Sequence, residues 1–163
     1  MSFTPAQITL IKADIAASAD MLGIPAGDDG SHAIAQLYNL PAVPAFVVWK
    51  TDVSVDEIMR NGMDWTRVDN LAVGKARIWD WMTRLGTINA AKPNVRAGID
   101  ATWVGTAADL AVRTAVYMHC NRECTRLEKL LATGGLGTAA APATMGREGS
   151  TNYAQIQAVR VAP

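Results

Sequence analysis

The chain has 163 residues, enough for one domain with a substantial core. Half of the residues are hydrophobic and 18% are charged, against about a quarter charged in soluble globular chains. Net charge is zero with no lysine or arginine run, which argues against a dedicated nucleic-acid binder.

The predicted elements are mainly helical. Thr4-Pro5-Ala6-Gln7 has the residues of a capping box with proline at the first helical position, and Ile8, Ile11 and Ile15 follow at helical spacing. That helix should end near Asp20. Ala26-Gly-Asp-Asp-Gly30 reads as a turn, and Ser31 should open a short helix bearing Ile34, Leu37 and Tyr38. Pro41 and Pro44 break it. Phe46–Trp49 fits either a short strand or an extended linker, since periodicity cannot decide for so short a run. Ser54-Val55-Asp56-Glu57 has capping-box spacing and predicts a helix ending near Gly62. Asp69 or Asn70 should cap the next helix. Its inner stripe is expected to be Leu71, Lys75, Ile78, Met82 and Leu85, with Trp79 and Trp81 at the margins. A further helix follows Pro93, with Val95, Ile99 and Trp103 on one face and Gly105 as its end. Thr106 should cap the longest helix, running to Gly134 with Leu110, Tyr117, Cys120, Cys124, Leu127 and Leu131 inward.

Beyond Gly134-Gly135 the chain holds too few apolar side chains for a core of its own and too little charge for a typical solvated tail. It reads as an arm ordered by a partner. The expected fold is therefore mainly α: a compact helical body over residues 1–131, an extended C-terminal arm over residues 132–163, and a short strand or hairpin left open. Charge is unevenly spread along the chain. Residues 1–64 carry three basic and eight acidic side chains, a net of −5, and residues 65–163 carry the compensating +5. Halves of opposite sign suit head-to-tail contacts between subunits, which close into rings.

No apolar stretch reaches the roughly 20 residues that span a bilayer, and Met-Ser-Phe-Thr-Pro lacks the basic segment and apolar core of a secretory signal. The two cysteines are accordingly expected to be reduced. His119, Cys120 and Cys124 invite a metal reading, but on one helix His119 points about 100° away from Cys120, and a zinc site needs three or four converging ligands. Two buried thiols fit better. No nucleophile–base pair and no phosphate-binding loop after a strand is present, and Asp28-Asp29 supply too few oxygens for calcium. The expectation is no catalytic, cofactor or metal site, and no enzyme.

Three stretches carry a resemblance. They are Val68-Asp-Asn-Leu-Ala-Val-Gly-Lys-Ala-Arg-Ile-Trp-Asp-Trp-Met82, Ile88-Asn-Ala-Ala-Lys-Pro-Asn-Val-Arg-Ala-Gly98, and Thr125-Arg-Leu-Glu-Lys-Leu-Leu-Ala-Thr-Gly134 with Pro142-Ala-Thr-Met-Gly-Arg-Glu-Gly149 beyond it. With the N-terminal helix and Val48-Trp49-Lys50-Thr51, the chain resembles the head-to-tail adaptors of tailed bacteriophages, also called connector or head-completion proteins. That resemblance implies a structural virion protein of the neck, assembled in the host cytoplasm as a ring, usually a dodecamer. The ring would bind the portal protein, offer a surface to a tail or tail-completion protein, and pass DNA without sequence-specific contacts. It implies no membrane and no cofactor. Another virion component, such as a minor capsid or tail-completion protein, and a small helical nucleic-acid-binding regulator are the alternatives. Within the arm Tyr153, Ile156 and Val159 would be apolar anchors, and Arg122, Arg126, Arg147 and Glu148 would be charged groups pairing across that contact. The proteins it resembles often carry an aromatic residue before Glu-Gly, where this chain has Arg147. On this reading, deleting residues 136–163 should leave the body folded and abolish assembly.

Overall fold

A computed structural model describes residues 2–60 and 62–163. Among them the helices are α1 (Pro5–Ala17), α2 (Asp28–Asn39), α3 (Val55–Arg60), α4 (Trp65–Asp69), α5 (Val73–Thr83), α6 (Pro93–Thr102), α7 (Ala107–His119), α8 (Arg126–Leu130) and α9 (Tyr153–Val161). The strands are short: β1 (Val47–Trp49), β2 (Val53–Ser54), β3 (Thr87–Ile88), β4 (Asn121–Glu123), β5 (Ala132–Thr133) and β6 (Thr144–Met145). They form three two-stranded pairs, β1 with β4, β2 with β3 and β5 with β6. The mainly α class holds, and the open run at Phe46–Trp49 contains a strand.

The chain divides into two compact units that do not follow the expected split at residue 131. The first comprises residues 1–46, 123–135 and 143–163; the second comprises 47–122 and 136–142. Regrouping the charges this way leaves the first unit with five basic and seven acidic side chains and the second with ten and eight. The linear imbalance of five thus falls to two on folding.

The first unit is built on α1, α2, α8 and α9. Thr4 and Gln7 make the expected capping box, and Ile11 is fully buried. The stretch of residues 26–30 departs from the expected turn. Asp28 and Asp29 already form the first turn of α2, where the exposed amides at a helix N-terminus favour carboxylates. Ile34, Tyr38, Leu127, Ile156 and Val159 close the core with Ile11 and Met21. The Tyr38 hydroxyl lies 3.0 Å from Asp14 Oδ2, so this large buried ring keeps a partner for its polar end.

The expected arm is where the structure differs most. β5 and β6 pair antiparallel, with Ala132 opposite Met145, and the Gly146 N–H donates to Leu131 O at 3.1 Å. A Cβ on Gly146 would sit 2.3 Å from that same oxygen, so only glycine allows the approach. Asn152 then caps α9, again with a capping box, and α9 lies along α2. Ile156 and Val159 are buried in the first unit itself. These side chains looked too sparse for a core because the other half of that core lies more than a hundred residues earlier, on α1 and α2.

The second unit packs α5 on α6 and α3 on α7. Trp79 and Trp103 meet edge to face with ring centroids 5.3 Å apart, among Val53, Ile58, Ile88, Ile99, Val112 and Val116. Ile99 and Trp103 face inward as expected. On α5 the expected stripe is rotated: Trp79 is the buried residue, whereas Ile78 and Leu85 are exposed. The helix also starts later than expected, at Val73, because Asp64 caps the separate short helix α4.

The long helix expected from Thr106 to Gly134 is two helices. The Thr106 cap is as read, with Asp109 returning the bond. The Asn121 side chain, however, donates to Tyr117 O at 2.9 Å, and Asn121–Glu123 leaves the helix to pair with β1. Thr125 starts α8 with a capping box closed by Glu128. Cys120 and Cys124, four residues apart across this break, therefore do not share a helical face.

Replacing Ile156 with Ala should destabilise the first unit by about 2–5 kcal/mol, as for other fully buried aliphatic truncations, and deleting residues 136–163 should unfold that unit rather than leave it intact; chemical denaturation followed by circular dichroism measures both. In the second unit Arg67 donates through Nε at 3.1 Å to Asp109, and with the Thr106 amide it holds the Asp109 carboxyl at about 2, below its ordinary 3.8. A carboxyl depressed on folding stabilises above its unfolded value and loses that contribution as pH falls through its folded one. The Tm deficit of Asp109→Asn should therefore be full above pH 4 and shrink as pH approaches 2; a deficit constant across that range would contradict the assignment.

Candidate interaction surfaces

The residues expected to bind partners scatter into different environments. Ile156 and Val159 are core, as described. Tyr153, at the first position of α9, is 49% exposed and keeps a free face. Arg122 is half-buried in β4, and Glu148 lies on the surface.

Arg126 is held within the first unit. Its guanidinium donates to Ser18 Oγ at 2.8 Å and to Asp20 Oδ2 at 2.5 Å, stands 3.7 Å from Asp14 and lies over the Tyr38 ring at 5.9 Å. The hydrogen bond from Arg126 holds the Asp20 carboxyl below its ordinary value. This arginine borders a groove of about 440 Å³ whose apolar wall includes Leu37, Leu40, Val43 and Leu130, with Lys129 also at its edge. Lys129 donates to Pro44 O at 3.3 Å and sits 5.7 Å from the Phe46 ring, so both cations of the groove are anchored to this unit.

Arg147 turns inward. Its guanidinium stacks 4.1 Å over the Phe3 ring, and Nη2 donates to Gln155 Oε1 at 3.1 Å. Nε and Nη1 are enclosed without an acceptor. Burial pushes its pKa below the usual arginine value, because enclosure disfavours the charged form. The side chain thus closes the N-terminal segment onto α9 rather than reaching for another molecule. Phe3 and Gln155 also border an apolar cleft of about 350 Å³ with Ile8, Ala158 and Val159.

The largest apolar side chains left in water lie in the second unit. On α5, Ile78 is 36% and Trp81 62% exposed, and Leu85, in the turn after the helix, is 82% exposed. The spacings Ile78–Trp81–Leu85, three and four, are those of one helical face. Seating Trp79 in the core turns this stripe outward, since Trp81 lies two residues, about 200°, further round the helix. The sequence had placed Trp81 at the margin of a buried stripe. Only the register, set by which tryptophan is buried, separates the two arrangements.

Among the described residues no three His, Cys, Asp or Glu side chains converge as metal ligands. His119 Nδ1 is 3.3 Å from Glu57 Oε1, and Lys50 Nζ is 3.4 Å from the same oxygen. Beside them burial pushes the fully enclosed Cys120 thiol up to about 12, which keeps it protonated and unreactive near neutral pH. No helix among the described residues is long and apolar enough to cross a membrane.

In comparison with known proteins, no family model, no curated protein and no solved structure matches the chain.

The enclosure of Arg147 makes a direct prediction. A cation with two unsatisfied nitrogens contributes less than its packed volume suggests, so Arg147→Met should leave stability unchanged or raise it by about 1 kcal/mol. A clear fall in the denaturation midpoint would mean that the guanidinium has partners the geometry does not supply.

Proposed function

We propose that the chain is a structural virion protein, one subunit of a ring that joins a bacteriophage portal to the tail and continues the DNA channel. The observation that carries this reading is the exposed apolar stripe of α5 on a chain with only 18% charged residues. A face of this kind, centred on a tryptophan and flanked by Arg77 and Arg84, has the composition of an interface hot spot. The resemblance of residues 68–82, 88–98, 125–134 and 142–149 to head-to-tail adaptors supplies the biological setting, and Ile78 and Trp81 of the stripe fall within it.

The mode of action differs from an arm released at Gly134-Gly135. Ile156, Val159 and Arg147 serve the fold of the first unit, so they are withdrawn as contacts to a portal. The segments left to meet a portal or tail surface are those with apolar groups in water: Tyr153 at the start of α9, and Leu136 in the loop between β5 and β6. That loop is a short backbone turn, in which the Leu136 and Gly137 amides donate to Ala141 O. The protein's contribution would be shape and surface, with DNA passing through the ring unread.

Native mass spectrometry of the purified protein, alone and mixed with portal rings, tests the reading. The expected species is a closed ring, of about 209 kDa for twelve copies of the 17.4-kDa chain, that joins portal rings in equal ring numbers. A protein that stays monomeric with and without a portal would overturn it.

A further inference from the structure

We infer that the α5 face binds a second copy of this chain, heterologously, through Leu22 and the acidic first turn of α2 of the neighbour. The inference rests on the ring reading and says which surfaces make the ring.

The α5 face has two strips. Ile78, Trp81 and Leu85 form the apolar one, and Arg77, Asp80 and Arg84 run beside it. Three partly exposed large side chains leave on the order of 300 Å² of apolar surface, given about 150–250 Å² for a whole aromatic side chain. A standard interface covers about 800 Å² per partner, so the strip suits the centre of one rather than its entirety. Charge then selects the partner. Lys75, Arg77 and Arg84 outnumber the single acid of the helix, Asp80, which is paired to Arg84 at 2.7 Å. Lys75 donates to Val104 O. Arg77 has no hydrogen bond or ion pair among the described residues. Two α5 faces brought together would oppose cation to cation, which disfavours a two-fold pairing.

The first unit carries the complement. Leu22 is 67% exposed, and Asp28 and Asp29 follow it on the surface, at the first turn of α2. Neither aspartate has an ion-pair partner among the described residues. An exposed leucine with two free carboxylates meets the requirement set by Trp81, Leu85 and Arg77: apolar contact at the centre and opposite charge at the rim. Because the two patches are made of different residues, each copy offers one patch to each of two neighbours, and the contact propagates until it closes.

Sedimentation and native mass spectrometry of full-length variants test the assignment. Trp81→Ala and Arg77→Glu should each weaken assembly tenfold or more with an unchanged far-UV spectrum, since both side chains are on the surface. Asp28→Lys with Asp29→Lys should do the same, and combining it with Arg77→Glu should restore rings. Because lysines at a helix start weaken α2, carbodiimide coupling of mixed isotope-labelled and unlabelled wild type gives a second reading. It should join a Lys75 peptide of one copy to the Asp28–Asp29 peptide of another. Rings formed normally by Trp81→Ala and Arg77→Glu would overturn this inference and leave the ring reading standing. Loss without rescue, together with no Lys75–aspartate coupling, would overturn the choice of partner surface. A wild type that never assembles would overturn both.

Discussion

One buried carboxylate ties the start of α8 to the segment that leads into α9. Glu128 is 2% exposed, and its two oxygens accept different backbone amides: Oε2 from Thr125 at 3.0 Å, Oε1 from Gly149 at 2.9 Å. The first bond starts α8. The second pins the segment between β6 and α9. An enclosed carboxylate without such donors would be strongly unfavourable, and with them its bonds are among the stronger kinds a protein makes. Glu128 therefore makes the local structure of α8 and the long-range course of residues 146–152 depend on each other.

The segment after Gly149 is stitched down by the same kind of contact. Asn39 donates to Thr151 O and accepts from its amide, both at 2.8 Å. Ser31 donates to Gln157 at 2.6 Å, and Arg160 donates to Ile24 O at 3.0 Å. These bonds line α9 up on α2, so that Ile156 and Val159 reach Ile11 and Tyr38. Packing supplies most of the stabilisation, and the polar bonds fix the register in which packing occurs. The price is sequence distance: neither compact unit is a continuous stretch, and a core completed by residues 146–162 cannot form until the last turn of chain is in place.

The parts legible in the sequence were those governed by neighbouring residues. Thr4 and Thr106 announced their helices because a capping box is a four-residue arrangement, and Ile99 with Trp103 gave one face of α6 by spacing alone. The same signal stood at Thr125-Arg-Leu-Glu128 and was overrun by an apolar stripe that continues at helical spacing through Cys120 and Cys124. Periodicity survived there although the backbone does not stay helical, because Cys120, Cys124, Leu127 and Leu131 are all buried for different reasons, in two units. The candidate surface was harder still. Nothing local decides whether Trp79 or Trp81 is the inward tryptophan. The choice depends on Trp103, 24 residues later, whose ring offers Trp79 an edge-to-face partner.

That choice also leaves an apolar stripe of α5 in water. α5 carries apolar side chains nearly all round: Trp79 inward, Met82 half-buried, Ile78 at the margin beside Gly98 of α6, and Trp81 outward. A helix facing only water would gain solubility from polar groups at 78, 81 and 85 without loss to its core. Keeping two aliphatic side chains and a tryptophan there exposes the free chain to unspecific association. The cationic strip beside them counters that hazard by repelling the like face of another copy, while leaving an acidic surface acceptable. In the proposed ring the low overall charge and the placement of the few charges would have one physical origin, since a subunit that meets its own kind in a single orientation needs apolar area for affinity and opposite charges for direction.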